Sequence, residues 1–209
     1  MDIYSIMKES RARPGVAEFN ARIAGRVRAL RAGRDLSLDA LAAGSGVSRS
    51  MLSLIERGEI SPTAVVLNKV ATGLGVSLAT LFEPDSAAPD PLSRGADRSS
   101  WRDPQSGYVR RNISPPGYPS PIQIVEVRFP PGGRVAYENG ARDIRVHQQV
   151  WVLEGQIEVS VGAVTRLLEQ DDCLAMQLDE PTAFRNRTRK PARYVVVLSP
   201  ERLPPPPGL

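Results

Sequence analysis

"LSLDALAAGSGVSRSMLSLIERG", residues 36–58, reads as two short capped helices around a glycine turn. Ser37 is of the type that starts a helix, because its hydroxyl accepts a hydrogen bond from a first-turn N–H. Ala40 and Leu41 are then expected to face inward. Gly44 and Gly46 permit a tight turn. Ser48 caps the second helix, which Ser50, Met51, Leu52, Ser53, Leu54 and Ile55 fill. Upstream, Phe19, Ile23, Val27 and Leu30 recur at helical spacing and leave Arg22, Arg26, Arg28 and Arg34 mostly on other faces. Gly33 closes that helix. Downstream, "SPTAVVLNKVATGLGVSLATLF", residues 61–82, gives two more helices. Pro62 suits a helix start, and Leu67, Val70, Ala71 and Leu74 mark a buried stripe. A helix, a short Gly-containing turn and a second capped helix make a helix-turn-helix unit.

These residues carry a resemblance. The run from Ile23 to Phe82, with its "LSLDALA" helix, its "GVSRSMLSLIERG" helix, "SPT" and "LGVSLATLF", strongly resembles the five-helix DNA-binding domain of the phage-repressor, or XRE-like, family. It spans about sixty residues without a gap. The resemblance implies that the helix over 48–57 enters the major groove with its N-terminal residues nearest the bases. Arg49 and Ser50 are then the first candidates for base contact, Arg49 by a bidentate pair with guanine O6 and N7. Ser53 and Leu54 follow, flanked by Ser48 and Arg57. Ser37 and Leu38 fall where the family touches phosphate. Leu38 and Leu54 are apolar where several relatives carry glutamine. Arg31 and Glu56 occupy positions that the family pairs as a structural salt bridge, so Arg31 is not assigned to DNA.

Charge is consistent with this placement. The chain has 209 residues and a formal net charge of +4. Residues 1–83 carry 11 Lys/Arg against 8 Asp/Glu, whereas residues 84–209 carry 16 against 15. The excess thus sits in the part expected to meet phosphate. No apolar run approaches the roughly 20 residues that span a bilayer. The N-terminus lacks the apolar core of a secretory signal, and a cytoplasmic protein is expected. One cysteine, Cys173, excludes an internal disulfide and a thiolate metal cluster. The apolar "LAM" after it suggests a buried thiol.

The segment 83–100, rich in Pro, Ser, Ala and Asp, reads as a linker. The expected division is a tail over 1–17, a DNA-binding domain over 18–83, a linker over 84–104, a barrel over 105–200 and a Pro-rich tail over 201–209. From Tyr108 onward the pattern is short strands separated by turns, at 108–113, 122–129, 134–137, 147–154, 156–161, 165–168, 173–176, 182–186 and 194–198. Many short strands at regular spacing suggest a sandwich or barrel.

The phrases "VWVLEGQIEVSVG", "LEQDDCLAM" and "TAFRNRTRKPARYVVVLS", in that order, resemble the cupin double-stranded β-helix. The fold class implied is a two-domain α+β protein: an all-α five-helix head and an all-β cupin, or jelly-roll, barrel. The metal-binding pattern of that family places an acid seven residues before the glycine of "LEG"; here that residue is Gln148. Its first two histidines would fall among Ala141, Arg142, Asp143 and Ile144, and its last at Thr182. None of these is histidine. His147, the single histidine, is adjacent to Gln148. Strand alternation therefore turns it outward with Trp151. No metal and no cofactor are expected.

A nucleophile–base pair is not visible either, so the chain is not read as an enzyme. A small barrel can still hold one ligand. Gln148, Thr182, Phe184 and Met176 are candidate lining residues, and Arg142 or Arg145 would meet an anionic effector at the mouth. The combined expectation is a sequence-specific transcriptional regulator, a repressor by preference. Its partners are operator DNA, a small-molecule effector and a second copy of itself, without a membrane. The alternatives are a cupin-type enzyme on a DNA-binding head, and an antitoxin-like or scaffold protein whose barrel binds a protein.

Overall fold

The computed structural model describes residues 14–83, 90–98, 100–139 and 144–202. Among these residues, four α-helices precede the strands: α1 (Pro14–Ala32), α2 (Leu38–Ser45), α3 (Arg49–Glu56) and α4 (Ala64–Gly73). The fifth helical element is a 3-10 segment, Leu78–Phe82, in place of the expected α-helix. It is five residues long, and Pro84 follows Glu83, which keeps Glu83 extended and stops the helix. No helix among the described residues is long and apolar enough to cross a membrane.

The caps lie where the residue types place them. Ser37 Oγ accepts from the Ala40 N–H at 3.0 Å, and Ser48 Oγ from the Met51 N–H at 3.3 Å. Gly46 ends α2 in the left-handed region at φ 66°, a conformation that costs any residue with a Cβ. Leu41 is fully buried, but Ala40 is exposed. Thr63, not Pro62, caps α4; Pro62 sits one residue before the cap. Leu67, Val70, Ala71 and Leu74 form the inner stripe of α4 as spaced. Helix α1 starts at Pro14, ahead of the boundary expected at residue 18.

Among the described residues ten strands follow: β1 (Ser100–Arg102), β2 (Val109–Asn112), β3 (Gln123–Phe129), β4 (Arg134–Tyr137), β5 (Ile144–Glu154), β6 (Ile157–Val161), β7 (Val164–Leu168), β8 (Cys173–Gln177), β9 (Thr182–Arg185) and β10 (Ala192–Arg202). They form two antiparallel sheets, ordered β1-β2-β3-β10-β5-β8 and β4-β9-β6-β7. With the edge pair β1-β2 set aside, four strands face four in the order of a jelly roll, the architecture of cupins. Gly155 ends β5 with φ 77°, and a Cβ there would lie 2.8 Å from the Pro191 carbonyl oxygen. The glycine of "LEG" is therefore required by close backbone approach.

Strand alternation sets which side chains face the core. In β5, Val146, Gln148, Val150 and Val152 are buried while Arg145, His147, Gln149 and Trp151 are exposed. The same period corrects the reading of Cys173. In β8, Leu174 and Met176 are half-buried, and Cys173 is exposed. The "LAM" that follows it alternates rather than burying all three residues.

Head and barrel are packed together. Ser100–Arg102, within the stretch read as linker, forms β1 and buries Trp101. A chain of ring contacts runs from Phe19 in α1 through Phe82, Trp101, Tyr108, Phe129, Tyr194 and Phe184 to Tyr137, with centroids 5.3–6.5 Å apart. Polar contacts reinforce this seam. Asp103 Oδ1 accepts from the Ala64 N–H at 2.8 Å, at the start of α4, where a carboxylate also meets the positive helix end. Ser77 Oγ donates to Gln123 Oε1 at 2.7 Å. Glu83 accepts from Arg26 at 3.2 Å and from Gln123 at 2.9 Å.

Candidate functional site

Two candidate sites stand out among the described residues. The first is the outer face of α3. Its apolar residues Leu52 and Ile55 are buried, and Glu56 is buried with them. Glu56 is matched by Arg31, whose Nε and Nη2 donate to Oε1 and Oε2 at 2.6 and 2.9 Å. Arg28 Nη2 also donates to the Glu56 carbonyl oxygen. These contacts fix the C-terminal end of α3 to α1, and Arg31 is structural as expected. The N-terminal end of α3 is left to solvent. Ser48, Arg49 and Ser50 are exposed, and Ser53 and Leu54 are half-buried.

Arg49 Nε lies 3.1 Å from Asp39 Oδ1, with both side chains largely in solvent. Arg57 is held along the helix by Ser53 Oγ at 2.6 Å and by both oxygens of Glu59 at 2.6 and 3.0 Å. Its guanidinium is raised above its ordinary range, first by that hydrogen bond with Glu59. On the preceding helix, Ser37 is exposed and Leu38 is half-buried against the core.

The second site is a cavity of about 70 Å³ inside the barrel. Barrel strands supply most of its wall, but Asn68 of α4 and Ser77 and Leu78 of the 3-10 segment line it as well. Of the residues expected there, Gln148, Thr182 and Phe184 line it, all at least nine-tenths buried. Met176 does not; its sulfur instead accepts from Gln148 Nε2 at 3.7 Å. Arg145 is not at a mouth. It stands on the outer face beside His147, and both contact Glu201, at 3.5 and 3.0 Å. The reason is the alternation of β5, which turns odd-numbered residues outward. Arg142 lies outside the described residues.

Sequence reasoning missed the most polar part of the cavity. Tyr108, Arg110, Tyr137, Asn139 and Tyr194 all line it. The Tyr108 and Tyr137 hydroxyls are 3.0 Å apart. Asn139 Nδ2 donates to Thr182 Oγ1 at 3.0 Å and to the Glu180 carbonyl oxygen at 2.9 Å. Burial raises the three tyrosine hydroxyls, Tyr137 and Tyr194 furthest. Burial also lowers the Arg110 guanidinium from its ordinary value. The available signal was the alternation within "YVRRN": if Tyr108 faces inward, so does Arg110.

The metal that cupin barrels usually hold does not fit this cavity. Gln148 offers a neutral amide and Thr182 a hydroxyl already engaged by Asn139. Arg110, buried in the same wall, places a positive charge where a cation would have to sit.

A helix-turn-helix head packed on a jelly-roll barrel defines a class, DNA-binding transcriptional regulators with a cupin-like domain. Comparison with known proteins points the same way. The helix-turn-helix family HTH_3 matches residues 27–81. The HTH-type transcriptional regulator SutR of Escherichia coli is 30% identical over 158 residues, which are 75% of this chain and 83% of SutR. An uncharacterized HTH-type transcriptional regulator of Mycobacterium tuberculosis is 29% identical over 144 residues, 69% of this chain and 45% of that protein. The crystal structure of an HTH_3 family transcriptional regulator from Vibrio cholerae has a TM-score of 0.72 at 29% identity, covering 88% of this chain and 98% of that one. The chain belongs to the XRE-like, HTH_3 family of HTH-type transcriptional regulators.

Proposed function

We propose that this regulator binds operator DNA through the exposed N-terminal end of α3 and that its barrel senses a small molecule. One observation carries the sensing reading: the barrel cavity is walled in part by the head itself, through Asn68, Ser77 and Leu78. A ligand that alters this wall favours one placement of head on barrel. It therefore changes DNA affinity by its differential affinity for the two placements. Arg49 and Ser50 read bases, with Ser53 and Leu54 behind them. Ser37, Leu38, Ser48 and Arg57 flank the phosphates.

The reading includes a homodimer, because paired recognition helices meet half-sites about one helical turn apart. Trp151, 46% exposed on the outer face of β5, supports an interface on that face. It also includes repression, a cytoplasmic location, and regulation without catalysis. The test is binding of the purified full chain to its own promoter DNA, with and without a cell-extract metabolite pool. Salt is held fixed because phosphate contacts make affinity fall steeply with ionic strength. A pool-dependent change in specific affinity is expected. Specific binding that no pool alters contradicts the sensing reading.

A further inference from the structure

We propose that the barrel cavity binds a short-chain monocarboxylate, with Arg110 taking the carboxylate and the apolar barrel wall taking the chain. This rests on the sensing reading above and gives its ligand a chemical class. Arg110 is the observation that points to a ligand. It is only 7% exposed, on strand β2, and it lines the cavity. Neither its Nε nor its Nη2 has a hydrogen-bond partner. The Phe82 ring lies 5.2 Å from the guanidinium carbon. That contact satisfies the flat face of the cation and leaves its N–H edge free. A buried guanidinium with a free edge is built for the two parallel N–H···O bonds of a carboxylate.

The rest of the wall narrows the class. Arg110 is the one charged residue among those lining the cavity. One positive charge matches a monoanion; a dianion would bury an uncompensated charge. An amino acid is also disfavoured, because no lining carboxylate is present to receive its ammonium group. Val135, Val146, Val196 and Leu198 add apolar surface to the wall, and Val127 lines it beside Arg110, its partner across β2 and β3. The Tyr108 and Tyr137 hydroxyls, with Gln148, are placed to meet a hydroxyl or oxo substituent on the chain. A volume of about 70 Å³ is under half of the roughly 150 Å³ that admits benzene. That size suits an acid of about two to four carbons.

The test is calorimetric titration of the full chain with acetate, propionate, lactate, sulfate and phosphate at constant ionic strength. Saturable binding of propionate or lactate, one per chain, is expected. Arg110→Met should weaken it by roughly tenfold to a hundredfold, and Arg110→Lys by less. The ligand-free melting temperature of Arg110→Met should stay level or rise, since an unmatched buried charge is replaced by an apolar side chain. If Arg110→Met does not fold, Val146→Leu serves. Val146 lines the cavity from β5, two strands beyond the neighbour of β2, so the change narrows the cavity with Arg110 intact and should shift preference toward acetate.

Preferential binding of sulfate or phosphate overturns the monocarboxylate assignment. So does propionate binding that Arg110→Met leaves unchanged. A promoter response to the metabolite pool that survives in Arg110→Met also overturns it, while leaving the sensing reading intact.

Discussion

The recognition helix and the barrel cavity are built from opposite kinds of information. The N-terminal end of α3 is local: one capping serine, one buried stripe and a row of exposed side chains within ten residues. The cavity is assembled from α4, the 3-10 segment, β2, β3, β4, β5, β9 and β10. Its charged anchor on β2 is stacked on a phenylalanine that belongs to the head. A local site of this kind can change its contacts without disturbing the fold. A shared one cannot change without moving what surrounds it. This is why the cavity, not the helix, is where regulation is expected to enter.

The comparison makes its largest prediction at the seam. Phe129 is fully buried and stacks on Tyr108. Phe129→Ala should cost about 3–5 kcal/mol, read by chemical denaturation, and head and barrel should lose stability together. Two separate unfolding transitions, with only the barrel weakened, would break the picture of a joined core.

Arg31→Ala comes next, at about 3 kcal/mol, because it leaves the Glu56 carboxylate buried without its partner. Operator affinity should fall with it, as the end of α3 loses its anchor. Arg49→Ala should instead leave stability unchanged. It should weaken binding by roughly 1–3 kcal/mol and relax preference at one base pair. An equal loss on every sequence would make Arg49 a phosphate contact. Asp103→Ala should cost about 1 kcal/mol through the lost hydrogen bond to the Ala64 N–H, the first of α4.

The smallest effect is in acid. Burial alone would raise the Glu126 carboxyl, but hydrogen bonds and charge from Arg111 and Arg193 hold it below its ordinary range. A lowered folded-state value gives stability that is present above the unfolded carboxyl value. That stability is lost as pH falls through the folded one. Glu126→Gln should flatten the acid limb of a stability–pH curve, and an unchanged limb would remove Glu126 from that account.

The same contrast explains what was legible in the sequence. The head was readable because its signals are short-range. Ser37, Ser48 and the α4 stripe were placed from local pattern, though Ala40 faces solvent; the Arg31–Glu56 pair joins residues 25 apart and was legible only through the family resemblance. Strands were found and their phase was readable where alternation was long, as in β5, where His147 and Trp151 face outward. Phase failed in the five-residue β8, so Cys173 was misjudged. Strand β1 was hidden because three residues between polar neighbours carry no pattern, and Trp101 is buried between Phe82 of the head and Tyr108 of the barrel. Arg110 was hidden for the same reason. An arginine in a strand reads as surface until the element that covers it is known.

The central claim is that head and barrel share the cavity wall, so its direct test is amide hydrogen exchange of the full chain with and without the metabolite pool. The account predicts that slowed exchange extends from the barrel strands into 64–82, the segment that carries Asn68, Ser77 and Leu78. Protection confined to the barrel strands, with 64–82 unchanged, would contradict it.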